Sequence, residues 1–503
     1  MDLVSKHWPN GFSNNVFSII INKSAARGQS IKASSAATRD GGDDDYDEEK
    51  VQQRVIQAIG KRNTSTLASH SKFKSFQAKE VMVLNGRPQE AVGLPIGLFH
   101  PVFDLFRERI DSPSFSPTTY QLSNTLPLLT ASQYIYDQET GPNGWIEGLQ
   151  PLLSDLLDLA FQNSGTTGTR SDGIFQGRNG AYHLIIEAKN EIGTGGSDPS
   201  VQGAIAYSNY WGIPEREWLR QRCCCPSMIL AIAGPWMCIL GGIMLNHPVV
   251  QPLTPFFFVG NNPYSSSHTH FVAKVFASLA QSLSELWTFY EPFKKSSDIP
   301  RNLERCSPHI QELTIGDQRV TIQYKAQIKP KKPIFRAVAR PEDGENYKIV
   351  VKFAESYNAA AHRLLEKMEL APQLIFVSSE GPKAFKVADR IMVVMKEMPY
   401  RDLSDAQSFP DCVQKDVMRA LDALHQQNLV FGDLRPPNIL VMETEQGQET
   451  GGMLVDFDWC GMAGQATYPY DINPTIEWPE GVGPGLPLQK EHDTKMFRQL
   501  LSI

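Results

Sequence analysis

The sequence predicts an α/β region followed by an α+β region. Asn179 and Gly180 stand between two apolar runs, and this dipeptide in that position is the strongest short-range signal for a β-hairpin. From 313 to 353, short apolar runs alternate with turn signals, which predicts strands. Stretches with helical spacing of apolar residues flank both patterns. With 503 residues, 41% of them hydrophobic, the chain is long enough to bury more than one core.

Charge and cysteine content narrow the partners and the compartment. The formal net charge of −7 provides no general basic field, so any contact with nucleic acid must be local. Seven cysteines, an odd number in a long chain, indicate reduced thiols inside a cell. The apolar run at 16–21 is short and has polar flanks, unlike a signal peptide. We therefore expect a cytoplasmic or nuclear protein.

Residues 1–89 are expected to be variable and partly disordered. An acidic block at 43–49 precedes a stretch from 61 to 79 that contains basic residues and no acid. Such blocks are usually solvated. The alternative is an acidic interaction arm or a basic arm for nucleic acid.

From Leu94 the composition becomes globular. Apolar residues recur at helical spacing in 95–110 and 144–161, which predicts two helices joined by a polar connection. The hairpin signal follows. If its two central residues form a type I′ turn, residue 178 faces 181 and 175 faces 184. The same register places Asp172 opposite Glu187, with Lys189 on the same face of the sheet.

Two carboxylates directly across a β-ladder repel each other unless a cation lies between them. A metal ion with oxygen ligands would remove this repulsion and could activate a water for attack on a phosphodiester. Asp172, Glu187 and Lys189 form a pattern that resembles the PD-(D/E)XK superfamily of restriction-endonuclease-like nucleases. The resemblance implies that the two acids bind Mg²⁺, that Lys189 is catalytic, and that the substrate is nucleic acid, DNA rather than RNA. The alternative is a plain surface hairpin with solvated charges.

Three further residues could belong to the same site. A helix after the second strand of that superfamily often carries a glutamine, and Gln202 occupies this place. Asp155 and Asp158, in the helix predicted before the hairpin, are additional acidic candidates.

The run from Met228 to Leu245 has 18 residues without a charge, the length at which a membrane span must be considered. The Gly-Pro pair at 234–235 and the Gly-Gly pair at 241–242 favour two buried strands separated by a turn, which would complete the sheet begun by the hairpin. The cysteines at 223–225 and 238 lack the spacing of a zinc site, so we expect thiols that are buried or in loops.

After a linker, the segment from 313 to 353 is predicted to form three strands with turns at 316–317, 329–333 and 342–345. The turn at 329–333, KPKKP, could also be a nuclear localisation signal. The last strand contains IVVK, which resembles the V-A-I-K strand of kinases and makes Lys352 the candidate phosphate-binding lysine, with Lys348 as its rival. The next helix should supply a glutamate partner, but alanines occupy its first turn between Glu355 and Glu366. No Gly-rich loop precedes the lysine.

The stretch from 429 to 461 contains FGDLRPPNIL and LVDFDWCG. Phosphoryl transfer needs one carboxylate to orient the attacking hydroxyl and further oxygen ligands to hold Mg²⁺. Asp433 and Asn438 keep the spacing of the kinase catalytic loop, and Asp456 begins a D-F motif as in D-F-G. The positions that depart from the kinase pattern are Phe431, Gly432, Arg435 and Asp458.

This second region resembles the kinase-like proteins abundant in fungi. Its order after a nuclease-like region resembles Crinkler-type effectors, in which such domains are fused. The resemblance implies a restriction-endonuclease-like α/β/α core at 90–295, a linker at 296–308, and a compact protein-kinase-like fold at 309–503. The 47 residues after Asp456 are too few for a full C-terminal kinase lobe, and Gly432 removes the usual arginine that binds a phosphorylated activation loop.

The resemblance also implies an activity and a set of roles. Asp433 would orient the hydroxyl of a protein substrate in a Ser/Thr-type phosphotransfer. Asn438 and Asp456 would hold Mg²⁺, and Lys352 and Arg435 would contact ATP. The alternative is a pseudokinase fused to a nuclease-fold scaffold that acts through binding partners. We expect no membrane association, and the sequence leaves the oligomeric state open.

Overall fold

The computed structural model describes residues 44–59, 64–79, 83–138, 144–159, 171–193, 196–265, 267–295, 302, 304–381, 384–406, 408–444 and 446–502. Residues 41–503 form one compact unit. The expectations for residues 1–43, and most of those for the linker at 296–308, lie outside the described residues.

The helices of this part of the chain are α1 (Asp44–Ile59), α2 (Thr64–Ala68), α3 (His70–Lys79), α4 (Val102–Asp111), α5 (Thr119–Ser132), α6 (Trp145–Leu157), α7 (Pro199–Gly212), α8 (Glu217–Arg220), α9 (His268–Tyr290), α10 (Ala359–Glu366), α11 (Asp411–Gln426) and α12 (Lys490–Leu500). The strands are β1 (Gly173–Gln176), β2 (Tyr182–Lys189), β3 (Ser227–Ala233), β4 (Trp236–Met244), β5 (Pro248–Pro252), β6 (Phe257–Phe258), β7 (Glu312–Ile315), β8 (Gln318–Gln327), β9 (Ile334–Pro341), β10 (Tyr347–Ala354), β11 (Leu374–Val377), β12 (Ile391–Lys396), β13 (Tyr400–Asp402), β14 (Leu429–Val430), β15 (Ile439–Glu443), β16 (Glu449–Leu454) and β17 (Gly461–Met462).

Two predictions of irregular structure were wrong. The charged segment from 44 to 79 forms α1 to α3, with Val55, Phe73 and Phe76 buried and α1 and α2 packed on α7. The connection expected between the first two globular helices contains α5, which begins with a capping box. Thr118 and Gln121 each accept a hydrogen bond from the other's backbone N–H, a signal that the sequence carries.

The first sheet has the strand order β1-β2-β3-β4-β5, with β6 also paired to β4. Strands β2 and β3 are parallel and α7 connects them, whereas the other neighbours are antiparallel. Helix α7 packs on β2 and β3, and α9 also contacts β2. Every residue of β2 is buried. A strand covered on both faces excludes the alternative of a solvated surface hairpin.

The hairpin register is the predicted one away from the turn. Phe175 pairs with Leu184, and continuing the ladder by one step beyond the first strand places Asp172 opposite Glu187. The pairing of 178 with 181 was wrong. His183 is an extra residue that shifts the register near the turn, so that the backbone N–H of Gly177 donates to the carbonyl of residue 181. This bulge lengthens the loop by one residue.

The second sheet is antiparallel with the order β11-β12-β10-β9-β8-β7. The three predicted turns are present, but they separate four strands rather than three. Lys352 lies on β10, between β9 and β12. Helix α10 follows β10 directly and contacts α11, the helix that leads to the stretch at 429–461.

The remaining strands form small sheets, β13-β15-β16 and β14-β17, and α11 packs against β16. The uncharged run from Met228 to Leu245 forms two strands around a turn, as predicted. In the described part of the chain, no helix is both long and apolar enough to cross a membrane.

Candidate functional site

Asp433 lies in a loop between β14 and β15, and its carboxylate is only 5% exposed to solvent. The side-chain amide of Asn438 donates to the Asp433 backbone carbonyl at 2.9 Å and to its Oδ2 at 2.8 Å. Arg435 donates to both carboxylate oxygens, from Nη2 at 2.6 Å and from Nε, and its guanidinium stacks over Trp478 at 5.2 Å. The Asp433 carboxylate is therefore held in one orientation and paired with the Arg435 guanidinium.

Asp493 on α12 supports this loop, and its side chain is fully buried. Its two oxygens accept hydrogen bonds from the backbone N–H groups of Phe431 and Gly432, at 2.9 and 2.8 Å, and from His425 Nε2 at 2.9 Å. Asp493 is not among the site residues expected from the sequence. Its role depends on a contact between residues about sixty positions apart, which no local pattern reveals.

Gly432 stands where the kinase motif has arginine, and its backbone has a φ of +82°. A Cβ at this position would lie 2.5 Å from Cδ2 of Leu488. Glycine is therefore required for both the backbone conformation and the close packing. Phe431, in the place of the motif's histidine, packs edge-on against Phe457 with ring centroids 5.6 Å apart.

Lys352 and Asp456 meet at the same site. The buried Lys352 ammonium donates to Asp456 Oδ1 and lies 2.6 Å from Asp458 Oδ1. Burial opposes the charge of Lys352, but the two carboxylates outweigh it and raise the pKa of the ammonium. Burial raises the pKa of Asp458 to about 7, and repulsion from Asp456 adds to this. Asp456 has the opposite outcome, because Lys352 overcomes the effect of burial and lowers its pKa.

The pairing of β15 with β16 brings the loop of Asp433 and Asn438 close to Asp456. The backbone N–H of Val455 donates to the carbonyl of Asn438 at 3.0 Å, so Asp456 and Asn438 lie at the same end of neighbouring strands. Asp456 has a positive φ of 74°, an uncommon conformation for a residue other than glycine and one that clusters at functional sites. Asp433, Asn438, Lys352 and Asp456 are thus brought together, whereas the rival Lys348 is exposed to solvent.

The helix glutamate expected to pair with Lys352 is replaced by a different arrangement. Glu355 instead bonds Arg390 at 2.8 Å. His362 of α10 stacks on Phe457 with centroids 4.7 Å apart, and its Nε2 is 2.8 Å from the carbonyl of Pro372. Asp458 stands where D-F-G has its glycine. Its carboxylate, rather than a helix glutamate, lies beside Lys352.

Glu187 is the centre of a second candidate site, in the first sheet. It is fully buried, and Gln202 of α7 donates to its Oε2. Its Oε1 is buried without a hydrogen-bond partner in the structure. Burial and then repulsion from Asp172 raise its pKa well above the ordinary value, while a hydrogen bond with the Ser171 side chain, the charge of Lys189 and the bond from Gln202 act in the opposite direction. Asp172 Oδ2 accepts the backbone N–H of residue 188 at 2.8 Å.

The predicted set at this site is therefore assembled from β2, α7 and the residue before β1. The orientation of the Gln202 amide is fixed because its Oε1 accepts from Ser197 Oγ at 3.2 Å. Asp155, on α6, and Asp158, at its C-terminal cap, are exposed to solvent, unlike the buried Glu187. The cysteines at 223–225 and 238 are buried free thiols, as expected.

Both sites contain donor atoms suited to Mg²⁺, which prefers carboxylate and amide oxygens. One offers a buried oxygen of Glu187 without a partner, and the other offers Asp456 and Asp458, which both approach Lys352. Across the described residues, no three His, Cys, Asp or Glu side chains gather into a metal-binding group. No family model matches the chain, and no curated protein matches it.

Proposed function

We propose that the C-terminal half transfers the γ-phosphoryl group of ATP to a hydroxyl of a protein substrate. The observation that carries the proposal is the convergence of Asp433, Asn438, Lys352 and Asp456 from three separate parts of the chain. Each has the residue type and the motif position that phosphotransfer requires.

The residues have distinct roles in this proposal. Asp433 orients the attacking hydroxyl and accepts its proton, for which one carboxylate oxygen must be released by Arg435. The freed guanidinium then contacts the phosphates. Lys352 binds the α- and β-phosphates, as the lysine of the V-A-I-K strand does in kinases. Asn438 and Asp456 would hold Mg²⁺, which neutralises charge on the transferred group.

The test is transfer of radiolabelled phosphate from ATP to a panel of proteins by the wild type and Asp433→Asn. We expect transfer by the wild type and a loss of at least about 100-fold in the variant, with unchanged thermal unfolding. Asp471→Asn, an exposed aspartate on the same half, is the matched control and should behave as wild type. Full activity in Asp433→Asn would refute the assignment.

A pseudokinase is the second candidate, and a specific contact favours it. Arg435 engages both oxygens of Asp433, so the carboxylate that would orient a hydroxyl is already paired with a cation in this conformation. If that contact is permanent, the protein binds nucleotide but transfers nothing. Thermal stabilisation by ATP and Mg²⁺ without phosphate transfer by the wild type would identify this class.

For the N-terminal half we propose Mg²⁺-dependent cleavage of nucleic acid. The observation in its favour is the buried Glu187 oxygen without a partner, beside Asp172 and Lys189. A buried polar atom of this kind is costly unless a ligand satisfies it. The two acids would hold the ion, which activates water, and Lys189 would stabilise charge on the phosphate.

Nicking of supercoiled DNA tests this second activity, with an RNA substrate as the comparison. We expect Mg²⁺-dependent nicking by the wild type and none by Asp172→Asn or Lys189→Met. Glu215→Gln, an exposed acid in the same half, should retain wild-type activity. Equal nicking by wild type and Asp172→Asn would exclude this site.

We further propose an intracellular place of action, in the cytoplasm or the nucleus. The basic turn at 329–333 connects β8 and β9, and Lys331 within it is exposed and donates to the backbone carbonyl of Glu90. Replacing its lysines in a fluorescently tagged protein tests the nuclear alternative, because a nuclear signal would be lost and a simple turn would leave the distribution unchanged.

A further inference from the structure

Lys352 has two carboxylate partners, and only one of them has another task in the proposed phosphotransfer. Asp456 and Asp458 both approach the ammonium, which is 7% exposed. If Asp456 turns toward Mg²⁺, it can no longer restrain the lysine fully. A buried lysine that loses its partners would be costly, since an uncompensated charge is then left away from water.

Helix α10 cannot provide the missing partner. Its first turn contains alanines, and the inward position on its next turn is filled by His362, which stacks on Phe457. Burial lowers the pKa of His362 to about 4, so it is neutral and cannot pair with an ammonium as an anion would. Glu366 ends the helix, and Glu355 precedes it and is held by Arg390.

The segment that carries Asp458 is bound to the start of α10 by several hydrogen bonds. The backbone N–H of Asn358 donates to the carbonyl of Phe457 at 3.1 Å, and its side-chain amide donates to the carbonyl of Cys460 at 3.1 Å. Ser356 Oγ donates to the carbonyl of Asp458 at 2.6 Å. These contacts fix the backbone on both sides of Asp458, so its carboxylate is held toward Lys352.

We propose that Asp458 is the positioning residue for Lys352, in the role that a helix glutamate has in ordinary kinases. The inference rests on the proposed nucleotide site and names the residue that holds its lysine in place. Asp458 keeps the ammonium charged and directed at the phosphates while Asp456 serves the metal. The anchor of the lysine has thus moved from the helix to the segment at 456–460. Three residues of this segment, Phe457, Asp458 and Cys460, also accept hydrogen bonds from the start of the helix.

Affinity for a fluorescent ATP analogue with Mg²⁺ is the main readout, measured together with KM and kcat for ATP. Asp458→Asn should weaken binding about 10- to 100-fold, the loss expected when a hydrogen bond to a charged group is removed. KM for ATP should rise in parallel, with a smaller change in kcat. Glu355→Gln and Glu366→Gln, the flanking acids of α10, are the matched controls and should bind as the wild type does.

A double variant separates positioning from general damage to the fold. If Asp458 acts only through Lys352, adding Asp458→Asn to Lys352→Met should weaken binding less than about twofold further. Asp458→Glu, which keeps the charge, should retain more affinity than Asp458→Asn. In the nucleotide-free protein, the free energies of unfolding of the same variants should also be non-additive.

The outcomes distinguish this inference from the proposed function. The role of Asp458 would be overturned by any of three results. These are wild-type affinity in Asp458→Asn, a double variant whose loss of affinity is the product of the two single losses, or weaker binding by either glutamate control. A wild type that binds the analogue but transfers no phosphate would end the phosphotransfer proposal, while the binding data would still decide the role of Asp458. A wild type that does not bind the analogue would overturn both.

Discussion

Asp493 Oδ1 accepts a 2.8 Å hydrogen bond from the backbone N–H of Gly432, which lies 61 positions earlier in the chain. The other oxygen serves Phe431 and His425, so one buried carboxylate satisfies three donors. Asp493→Ala would leave these donors unpaired, and we expect a loss of about 3 kcal/mol or more in the free energy of unfolding.

Chemical denaturation of the two proteins measures this loss. Glu491→Ala, an exposed acid in the first turn of the same helix, should cost less than about 1 kcal/mol. A similar loss for both substitutions would mean that Asp493 does not support the loop in the way described.

Gly432→Ala tests the second requirement of the same loop. Alanine must adopt the positive φ and also displace Leu488, so we expect a loss of stability of about 1–3 kcal/mol or more, together with loss of phosphotransfer. Gly447→Ala is the control for the backbone term, because its φ is +77° but no atom lies within 4 Å of the added Cβ. The difference between the two variants isolates the clash. Equal thermal unfolding would show that Leu488 moves aside without cost.

Glu187→Gln should stabilise the metal-free protein. Burial and the neighbouring Asp172 disfavour the carboxylate, and the neutral amide avoids this cost while it keeps the shape and the contact with Gln202. Addition of Mg²⁺ without nucleotide should then raise the unfolding temperature of the wild type more than that of the variant. Glu147→Gln, an exposed position on α6, should change neither quantity. If the variant is less stable than the wild type without metal, the assignment of a cation site at Glu187 is contradicted.

The pH dependence of stability should contain a contribution from Asp104 on α4. Its Oδ2 accepts the backbone N–H of Ala388 at 2.6 Å, which joins the two halves of the chain, and burial raises its pKa from 3.8 to about 6. The folded protein holds the Asp104 proton more tightly than the unfolded chain does. The protonated Asp104 therefore contributes its full stabilisation below pH 3.8, and this contribution is lost as the pH rises through about 6.

Asp104→Asn mimics the protonated carboxyl, so its advantage over the wild type should grow between about pH 4 and 7 and then stay constant. Urea denaturation at about pH 4, 6 and 8 measures the difference. Asp111→Asn, an exposed residue at the end of the same helix, should follow the wild type at every pH. An advantage that does not vary with pH would assign the effect to another group.

Much of the hairpin and the loop at 429–461 could be predicted because both depend on local spacing. The period of two along a strand places Asp172 opposite Glu187, and the interval between Asp433 and Asn438 is a fixed part of one loop. The bulge at His183 could not be foreseen from the turn residues, because the ring contacts of His183 include Trp287 and Tyr290, more than a hundred positions away. Helix α5 was missed because its apolar spacing is weak, although its capping box was visible.

The partner of Lys352 was beyond prediction for a different reason. Asp458 reaches the lysine because Asp456 adopts a positive φ and because Ser356 and Asn358 hold the following backbone. A dihedral angle and contacts over a hundred positions apart decide this pairing, and the letters D-F-D show only that the glycine of D-F-G is replaced.

The attachment of Asn358 to the carbonyls of Phe457 and Cys460 has a consequence for control in the living cell. Ordinary kinases are turned off by moving the corresponding helix away from the lysine, which requires that helix to be free. Here the helix is bound to the segment at 456–460, so moving it away would break the hydrogen bonds between them. If the protein transfers phosphate, its output should follow how much of it is made, where it is delivered and how quickly it is degraded.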